Sequence, residues 1–451
     1  MSEKIVIIGG DAAGMSAASV VARDEESTAQ VTVLEMGDVT SYAACGLPYF
    51  VGGDIEDSTT LLVRDQEFFT ERGIDLRLNH EVVEINRNSK QVTVLDVRAG
   101  EKFDLEYDKL LIATGATAAK PPIPGIDAPN VFSVRHYNDA LDLSGYLNMN
   151  TPKRVTVLGA SYLGLEMVEA MRAQGLEVTV VEVAEQVFPM IDNRLALLLA
   201  DELEKNDIGL KLGEAVTELV RGADGNIATV HTQSSNWPCD LVILGLGSRP
   251  TVDLARAAGV AIGPSGAIEV SDSLQTNDES IWAAGDCVAT NHRITGGPVW
   301  IPLGPAANKQ GRIAGARMIG KDVRFKGVVG TSLVKVFDLH AGSTGLTEAA
   351  ALAAGFDPIS CQITGSDIAH YYPGSKPTTI RLVVDRQTEK LLGGQVVGYT
   401  GVAGRVNVLA TALHAGMTIR ELAELDLGYA PPFAPVWDPI LIAANKAVGS
   451  L

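Results

Sequence analysis

The sequence predicts an α/β chain with two parallel-sheet units, the second inserted in the first, followed by a C-terminal α+β domain. Three observations predict it. A unit of strand, glycine turn, helix, strand and acid occurs twice. Continuous apolar strands close the block around each copy. From about Phe325 the texture changes to segments that read as antiparallel strands and a packing helix.

The first copy opens with Ile5-Val6-Ile7-Ile8, turns through Gly9-Gly10-Asp11-Ala12-Ala13-Gly14 into a small-residue helix, and closes with Val31-Thr32-Val33-Leu34-Glu35. Strands this uniformly apolar belong in parallel sheets covered on both faces. In such a turn the first glycine allows the tight bend and the last lets the helix pack on the strand. The helix N-terminus then faces a pyrophosphate, and the acid ending the next strand reaches ribose hydroxyls. Glu35 holds that place. Leu110-Leu111-Ile112-Ala113-Thr114-Gly115 ends the block. Gly9, Gly10, Ala13, Gly14, Glu35, Val82, Ala113, Thr114 and Gly115 are assigned to this first site.

The second copy runs Val155-Thr156-Val157-Leu158, Gly159-Ala160-Ser161-Tyr162-Leu163-Gly164, a helix to about Gly175, and Val178-Thr179-Val180-Val181-Glu182. Asp11 and Ser161 stand at the middle-glycine positions of G-x-G-x-x-G, so each copy alone is a degenerate signal; a matched pair is a strong one. Gly159, Tyr162, Leu163, Gly164, Glu166, Glu182 and, after the strand Leu241-Val242-Ile243-Leu244, Gly247 are assigned to the second site. Two Rossmann-like dinucleotide-binding domains result. Residues 1–120 and 247–322 form the first, 150–246 the second, and 325–451 the C-terminal domain. In that last segment, Val334-Lys335-Val336-Phe337 and Thr379-Ile380-Arg381-Leu382-Val383-Val384 read as antiparallel strands, and Val406 to His414 as a helix.

The 451 residues are 46% hydrophobic and 20% charged, as in a globular chain with large cores. The net charge of −19 argues against nucleic acid and anionic membranes as partners. It does not exclude anionic cofactors, which backbone N–H groups hold at helix N-termini. No apolar run approaches the roughly 18 residues of a membrane span. Met1-Ser2-Glu3-Lys4 has no signal-peptide layout, so a soluble, cytoplasmic protein is expected. The four cysteines, Cys45, Cys239, Cys287 and Cys361, are far apart and show no C-x-x-C spacing. Neither a disulfide framework nor a metal site is expected.

Two dinucleotide sites imply two dinucleotides, and a flavin with a nicotinamide is the common pair, because hydride chemistry needs a donor and an acceptor in contact. Ala283-Ala284-Gly285-Asp286 supports FAD in the first site. A carboxylate after a tight glycine, just before a helix, can accept a hydrogen bond from the ribityl chain; the bland reading is a helix N-cap. Cys45 sits in Ser41-Tyr42-Ala43-Ala44-Cys45-Gly46-Leu47-Pro48-Tyr49-Phe50. There it is expected to open a helix, where the N-terminus and a nearby flavin favour the reactive thiolate. No second thiol follows it closely, and position 50 is Phe. Its redox partner is therefore external sulfur or an oxygen-derived group. After the second unit the chain reads Val181-Glu182-Val183-Ala184-Glu185-Gln186, two acids and no base. This suits a free 2′-hydroxyl and predicts NADH over NADPH.

Along essentially its whole length the sequence resembles the single-cysteine branch of the pyridine nucleotide-disulfide oxidoreductases, and within it coenzyme A disulfide reductase. The motif around Cys45, Gly330-Thr331-Ser332-Leu333-Val334-Lys335-Val336-Phe337-Asp338, His370-Tyr371-Tyr372-Pro373-Gly374 and Tyr429-Ala430-Pro431-Pro432-Phe433 carry the resemblance. It implies a homodimer in which Tyr371 and Tyr429 of one chain reach the Cys45 site of the other. It also implies that Tyr162 covers the flavin until nicotinamide arrives and that Glu166 stands beside the nicotinamide. The implied substrate is a small disulfide or persulfide, coenzyme A disulfide being one candidate. Three positions depart from the family pattern. Ala44 stands where Asn is common, Gly404-Arg405 where a Lys-Arg pair is common, and Ala12 where related NADH peroxidases and oxidases carry His. An NADH oxidase or peroxidase on the same scaffold, and an electron-transfer flavoprotein serving a ferredoxin-like partner, are the alternative readings.

Overall fold

The computed structural model describes residues 2–451. Two five-stranded parallel sheets and one five-stranded antiparallel sheet organise them. The first parallel sheet runs, edge to edge, Ile281–Ala283, Lys109–Ile112, Lys4–Ile8, Gln30–Glu35 and Ile74–Leu78. The second runs Gly209–Leu212, Glu177–Glu182, Arg154–Leu158, Leu241–Leu244 and Val131–Phe132. The two copies match in register: Ile8 pairs with Leu34 in one sheet as Leu158 pairs with Val181 in the other. Their central strands are buried at almost every residue, the condition the apolar runs require. Each unit also carries a three-stranded antiparallel sheet, His80–Asn86 to Glu101–Glu106 in the first and Val216–Arg221 to Asn236–Pro238 in the second.

The crossings into and out of the inserted unit pair with each other, Ala116–Ala118 antiparallel to Ser248–Pro250. Val131–Phe132 supplies the edge strand of the second sheet, and Val134, Tyr137, Ala140 and Leu143 pack in its core. The second unit therefore begins ahead of residue 150. A two-residue edge strand and a helix of weak amphipathicity leave little periodic signal to read.

The helix Gly304–Met318 returns to cover the first sheet. It lies so close to the helix Ala12–Arg23 that a Cβ on Gly311 would stand 2.1 Å from the Ala13 carbonyl oxygen, and one on Gly315 2.6 Å from that of Ala17. The small residues predicted in the first helix are thus matched by a G-x-x-x-G spacing in the last.

In the C-terminal domain the antiparallel sheet is ordered Ser332–Val336, Leu339–Gly345, Leu391–Gly398, Pro377–Asp385 and Pro358–Ser366. Helices Val402–Ala415 and Pro439–Val448 pack on it, with Val406, Leu409, Ile440 and Ala444 in the shared core. The first hairpin faces the other way. Val334, Val336, Leu339 and Ala341 lie in the same apolar core as Leu165, Val168 and Met171 of the second unit.

Candidate active site

The two glycine turns are built alike. Gly9 has φ +106 and its Cβ would meet the Ala113 oxygen at 2.3 Å; Gly159 has φ +98 and would meet the Gly245 oxygen at 2.4 Å. Gly14 and Gly164 bring each helix onto the turn's own carbonyl, where a Cβ would sit 1.9 and 2.0 Å from the Gly9 and Gly159 oxygens. Only glycine meets both demands. Glu35 accepts from Gly10 N at 2.6 Å and Gly37 N at 2.7 Å, and Glu182 accepts from Ala160 N at 2.8 Å and Ala184 N at 2.9 Å. Each carboxylate fixes the bend of its turn and keeps acceptor capacity for a hydroxyl.

Neither N-cap side chain, Asp11 nor Ser161, accepts a hydrogen bond from its own helix. The first-turn N–H groups of both helices are thus left for an external acceptor, the arrangement a pyrophosphate fills. In this respect the residues fit two dinucleotides.

Around the first turn the other assigned residues converge. Ala113 abuts Gly9, and its N–H donates to the Ile8 oxygen at 2.8 Å. Thr114 Oγ1 donates to the Thr251 oxygen at 2.7 Å, and Gly115, at φ +67, accepts from Thr251 N at 3.0 Å. Ala13 is buried against the helix Gly304–Met318. Val82 is buried in the strand His80–Asn86, and its side chain belongs to the apolar core, so only its backbone is left to face a ligand. Asp286 is not followed by a helix, contrary to expectation. It lies in a turn closed by Val288 N donating to the Gly285 oxygen at 3.1 Å. That removes the N-cap reading. Arg135, which no sequence motif marks, donates to Asp286 Oδ2 at 2.7 Å and to the Ala116 oxygen at 3.1 Å. It is the counter-charge to a group of acids. Asp11 is pushed up to about 6, first by burial and then by Glu35, with Arg135 opposing.

Around the second turn, Tyr162 begins the helix Tyr162–Ala173, Leu163 is half-buried beside it, and Glu166 lies one turn on. Gly247, at φ +81, accepts from Ala119 N at 3.0 Å where the two chain crossings meet. Burial, and then Glu169, push Glu166 up to about 7.

Cys45 lies in a three-residue 3-10 turn, Ala44–Gly46, ahead of the helix Leu47–Gly52 rather than at its first residue. Its thiol is held above the usual cysteine range, first by burial and then by Glu166, with Asp286 and Asp11 adding and Arg135 opposing. Of the two influences expected to favour thiolate, the helix N-terminus is weak, because Cys45 precedes a short helix rather than opening it; among the chain's own groups, burial and Glu166 outweigh Arg135. The residue as a whole nevertheless reaches the surface, whereas Cys239, Cys287 and Cys361 are buried. Burial raises Cys287 to about 11, which marks it as inert.

Tyr371 and Tyr429 stand in the C-terminal domain, hydroxyl to hydroxyl at 2.9 Å and largely exposed. With His370, Trp437 and Ile442 they line a cavity of about 350 Å³. The charged groups that act most on Cys45, namely Glu166, Arg135, Asp286 and Asp11, all lie outside this domain. Phe433, Val436 and Trp437 extend the exposed apolar face. Arg405 is buried, its Nε donating to Asp438 Oδ2 at 3.1 Å and its Nη2 to the Asp367 oxygen at 2.7 Å, so it is committed to the fold.

Two dinucleotide cradles flanking one accessible thiol define a dinucleotide-dependent oxidoreductase. The pattern of the family described as "Pyridine nucleotide-disulphide oxidoreductase" matches residues 3–311, and that family's dimerisation domain matches residues 331–439. The chain belongs to this family. The NAD(P)H coenzyme A polysulfide/persulfide reductase of Pyrococcus horikoshii is 40% identical over 446 residues, 99% of this chain and 98% of that one. The coenzyme A disulfide reductase of Staphylococcus haemolyticus is 31% identical over 446 residues, covering 98% and 99%. The structure of reduced Bacillus anthracis CoADR-RHD superposes with a TM-score of 0.96 at 36% identity, covering all of this chain and 80% of that one. That of an NAD-dependent persulfide reductase from A. fulgidus superposes with 0.95 at 38%, covering 99% and 83%. Membership makes the chain an enzyme of this class and implies FAD and a nicotinamide dinucleotide. Among the described residues no helix is long and apolar enough to cross a membrane.

Proposed function

We propose that this chain is a homodimeric reductase of low-molecular-weight disulfides, persulfides or polysulfides, coenzyme A derivatives among them, which acts through Cys45 and prefers NADH to NADPH. One observation carries the reading: Cys45 is exposed beside the first dinucleotide site while the other three cysteines are buried. An accessible thiol without an internal resolving thiol exchanges with external sulfur. The relatives named for CoA polysulfide, persulfide and disulfide reduction support that substrate class.

FAD, when bound, supplies the relay of two electrons from the nicotinamide dinucleotide. The chain's own residues do the rest. The Cys45 thiol loses its proton, a step that Arg135 favours and that burial and Glu166 resist. The thiolate attacks one sulfur of the substrate, its S–S bond breaks, and one thiolate leaves. Cys45 remains in a mixed disulfide until two electrons and a proton release the second thiol. Glu166, titrating at about 7, holds a proton close to this path near neutral pH. Tyr162 covers the inner end of the nicotinamide site. In the dimer the paired Tyr371 and Tyr429 hydroxyls of one subunit serve the Cys45 of the other. Glu182, with Glu185 beyond it, disfavours a 2′-phosphate.

The test is intact-protein mass spectrometry after exposure to coenzyme A disulfide without NADH. One CoA adduct per chain, mapped to Cys45, is expected. No adduct, or one on another cysteine, overturns the reading.

A further inference from the structure

The nicotinamide end of the second glycine turn is held from another domain. Tyr162 projects from the start of its helix. Its ring stands edge-on to Phe188, centroids 4.8 Å apart at 89°. Its hydroxyl donates to Ser332 Oγ, on the first strand of the C-terminal domain.

Both contacts are themselves anchored. Phe188 is fully buried at φ +47, and its N–H donates to the Ala160 oxygen, inside the glycine turn, at 2.8 Å. A bulky side chain adopts left-handed backbone only where its surroundings over-determine it. Phe188 is thus a fixed wall. On the other side, Lys335 Nζ pairs with Glu169, one helical turn beyond Glu166, and Glu169 Oε2 accepts from Phe337 N at 3.0 Å. These bonds fix the strand Ser332–Val336 against the helix Tyr162–Ala173, so Ser332 meets Tyr162 at a set point.

We infer that Ser332 is a latch: its hydroxyl holds the Tyr162 ring across the nicotinamide end of the second site, and entry of the nicotinamide breaks this bond. The inference rests on the reading of Tyr162 as the cover of that site. Ser332 touches neither substrate in this scheme; it is a positioning residue that sets how often the cover is closed. When the binding-competent form is a fraction of the whole, the apparent dissociation constant is the intrinsic one divided by that fraction. A neutral hydrogen bond shifts such an equilibrium on the order of three- to ten-fold. The C-terminal domain, which carries the dimer contacts, thereby also governs access of the reductant in its own chain.

The experiment measures NAD⁺ binding to the FAD-loaded dimer by calorimetry, with KM for NADH alongside. Ser332→Ala is expected to tighten NAD⁺ binding roughly three- to ten-fold and to lower KM with it. Ser332→Thr, which keeps the hydroxyl, restores the wild-type value, a rescue that a packing role would not give. Tyr162→Phe matches Ser332→Ala, and the double variant shows no further gain. An unchanged or weaker NAD⁺ affinity in Ser332→Ala overturns the latch. If Tyr162→Ala still alters NAD⁺ binding in that case, the cover reading stands without it; if Tyr162→Ala has no effect either, the cover reading falls too.

Discussion

The hydroxyls of Tyr371 and Tyr429 share one hydrogen bond at 2.9 Å across 58 positions of sequence. That bond first, and then desolvation and the charge of Tyr429, hold the Tyr371 proton above the usual phenol range. A shared bond acts as a unit, so deletions of its members do not add. Tyr371→Phe and Tyr429→Phe are each expected to lower disulfide turnover by roughly a hundred-fold, the low end for a lost proton donor. The double variant should be no more than a few-fold worse. Steady-state rates with coenzyme A disulfide decide it: strictly multiplicative losses would show two independent roles.

Cys45→Ser should abolish disulfide and persulfide reduction while NADH still bleaches the flavin absorbance. Sulfur exchange needs a thiolate, and a serine hydroxyl at neutral pH is too weakly acidic to replace it. The buried Cys239, Cys287 and Cys361 cannot take over. Stopped-flow bleaching followed by turnover assays separates the halves, and a variant reducing disulfides near the wild-type rate would remove Cys45 from the mechanism.

Glu182 already accepts two backbone N–H groups at the second glycine turn, and no base follows it before Arg194. kcat/KM is expected to be at least ten-fold higher with NADH than with NADPH, the scale of one lost charge-assisted contact. Val183→Arg, at an exposed position beside Glu182, should narrow the gap. Equal use of both donors by the wild-type enzyme would refute the argument.

Glu166 binds its proton more tightly folded, at about 7, than its ordinary value of 4.5, because burial and Glu169 disfavour the charge. The folded state therefore holds the extra proton between those values, and stability falls as pH rises through that window. Asp11, at about 6, adds in the same direction. The Glu166 share is at most roughly 3 kcal/mol. Glu166→Gln should shrink the drop in urea midpoint between pH 5 and pH 8 relative to wild type. An identical drop in both proteins would show that the carboxyl is solvated.

Gly311→Ala sets two effects against each other. Helix propensity favours alanine by about 1 kcal/mol. The new Cβ, however, would lie 2.1 Å from the backbone oxygen of Ala13, and overpacking of that kind costs about 1–3 kcal/mol. The clash wins, so the helices part at the turn that holds the first dinucleotide. FAD should dissociate faster and the melting temperature should fall. Gly404→Ala, in the first turn of the helix Val402–Ala415 with nothing within 4 Å of its Cβ, is the control and should be neutral or stabilising. A stable Gly311→Ala with wild-type FAD retention would contradict the packing.

The fold was legible because Ile5–Ile8 and Val155–Leu158 carry uninterrupted apolar runs into glycine turns, a local pattern that needs no partner to be recognised. Cys45 stands out in the sequence by its setting between the two turns. Its titration was not, because Glu166 and Asp286 reach it from segments over a hundred residues away. Arg135 was invisible for the same reason. It lies in an aperiodic stretch, and its partner Asp286 is 151 positions on. Phe188 looked like an ordinary apolar residue, since nothing local announces its positive φ. The start of the second unit was missed because an edge strand of two residues, Val131–Phe132, is too short to have a period.

The hairpin formed by Ser332–Val336 and Leu339–Gly345 gives Val334, Val336, Leu339 and Ala341 to a core made mostly by the second nucleotide unit, which Leu47, Val51 and Leu61 also enter. The joint at about residue 325 is a seam in the sequence and not in the folding. Neither side can melt alone without exposing apolar surface of the other, so calorimetry of the whole chain should show these two regions in one cooperative transition. It also follows that a C-terminal domain grafted from a distant relative would have to bring a matching inner hairpin. Exchange of C-terminal domains between such enzymes is thereby tied, residue by residue, to the helix Tyr162–Ala173.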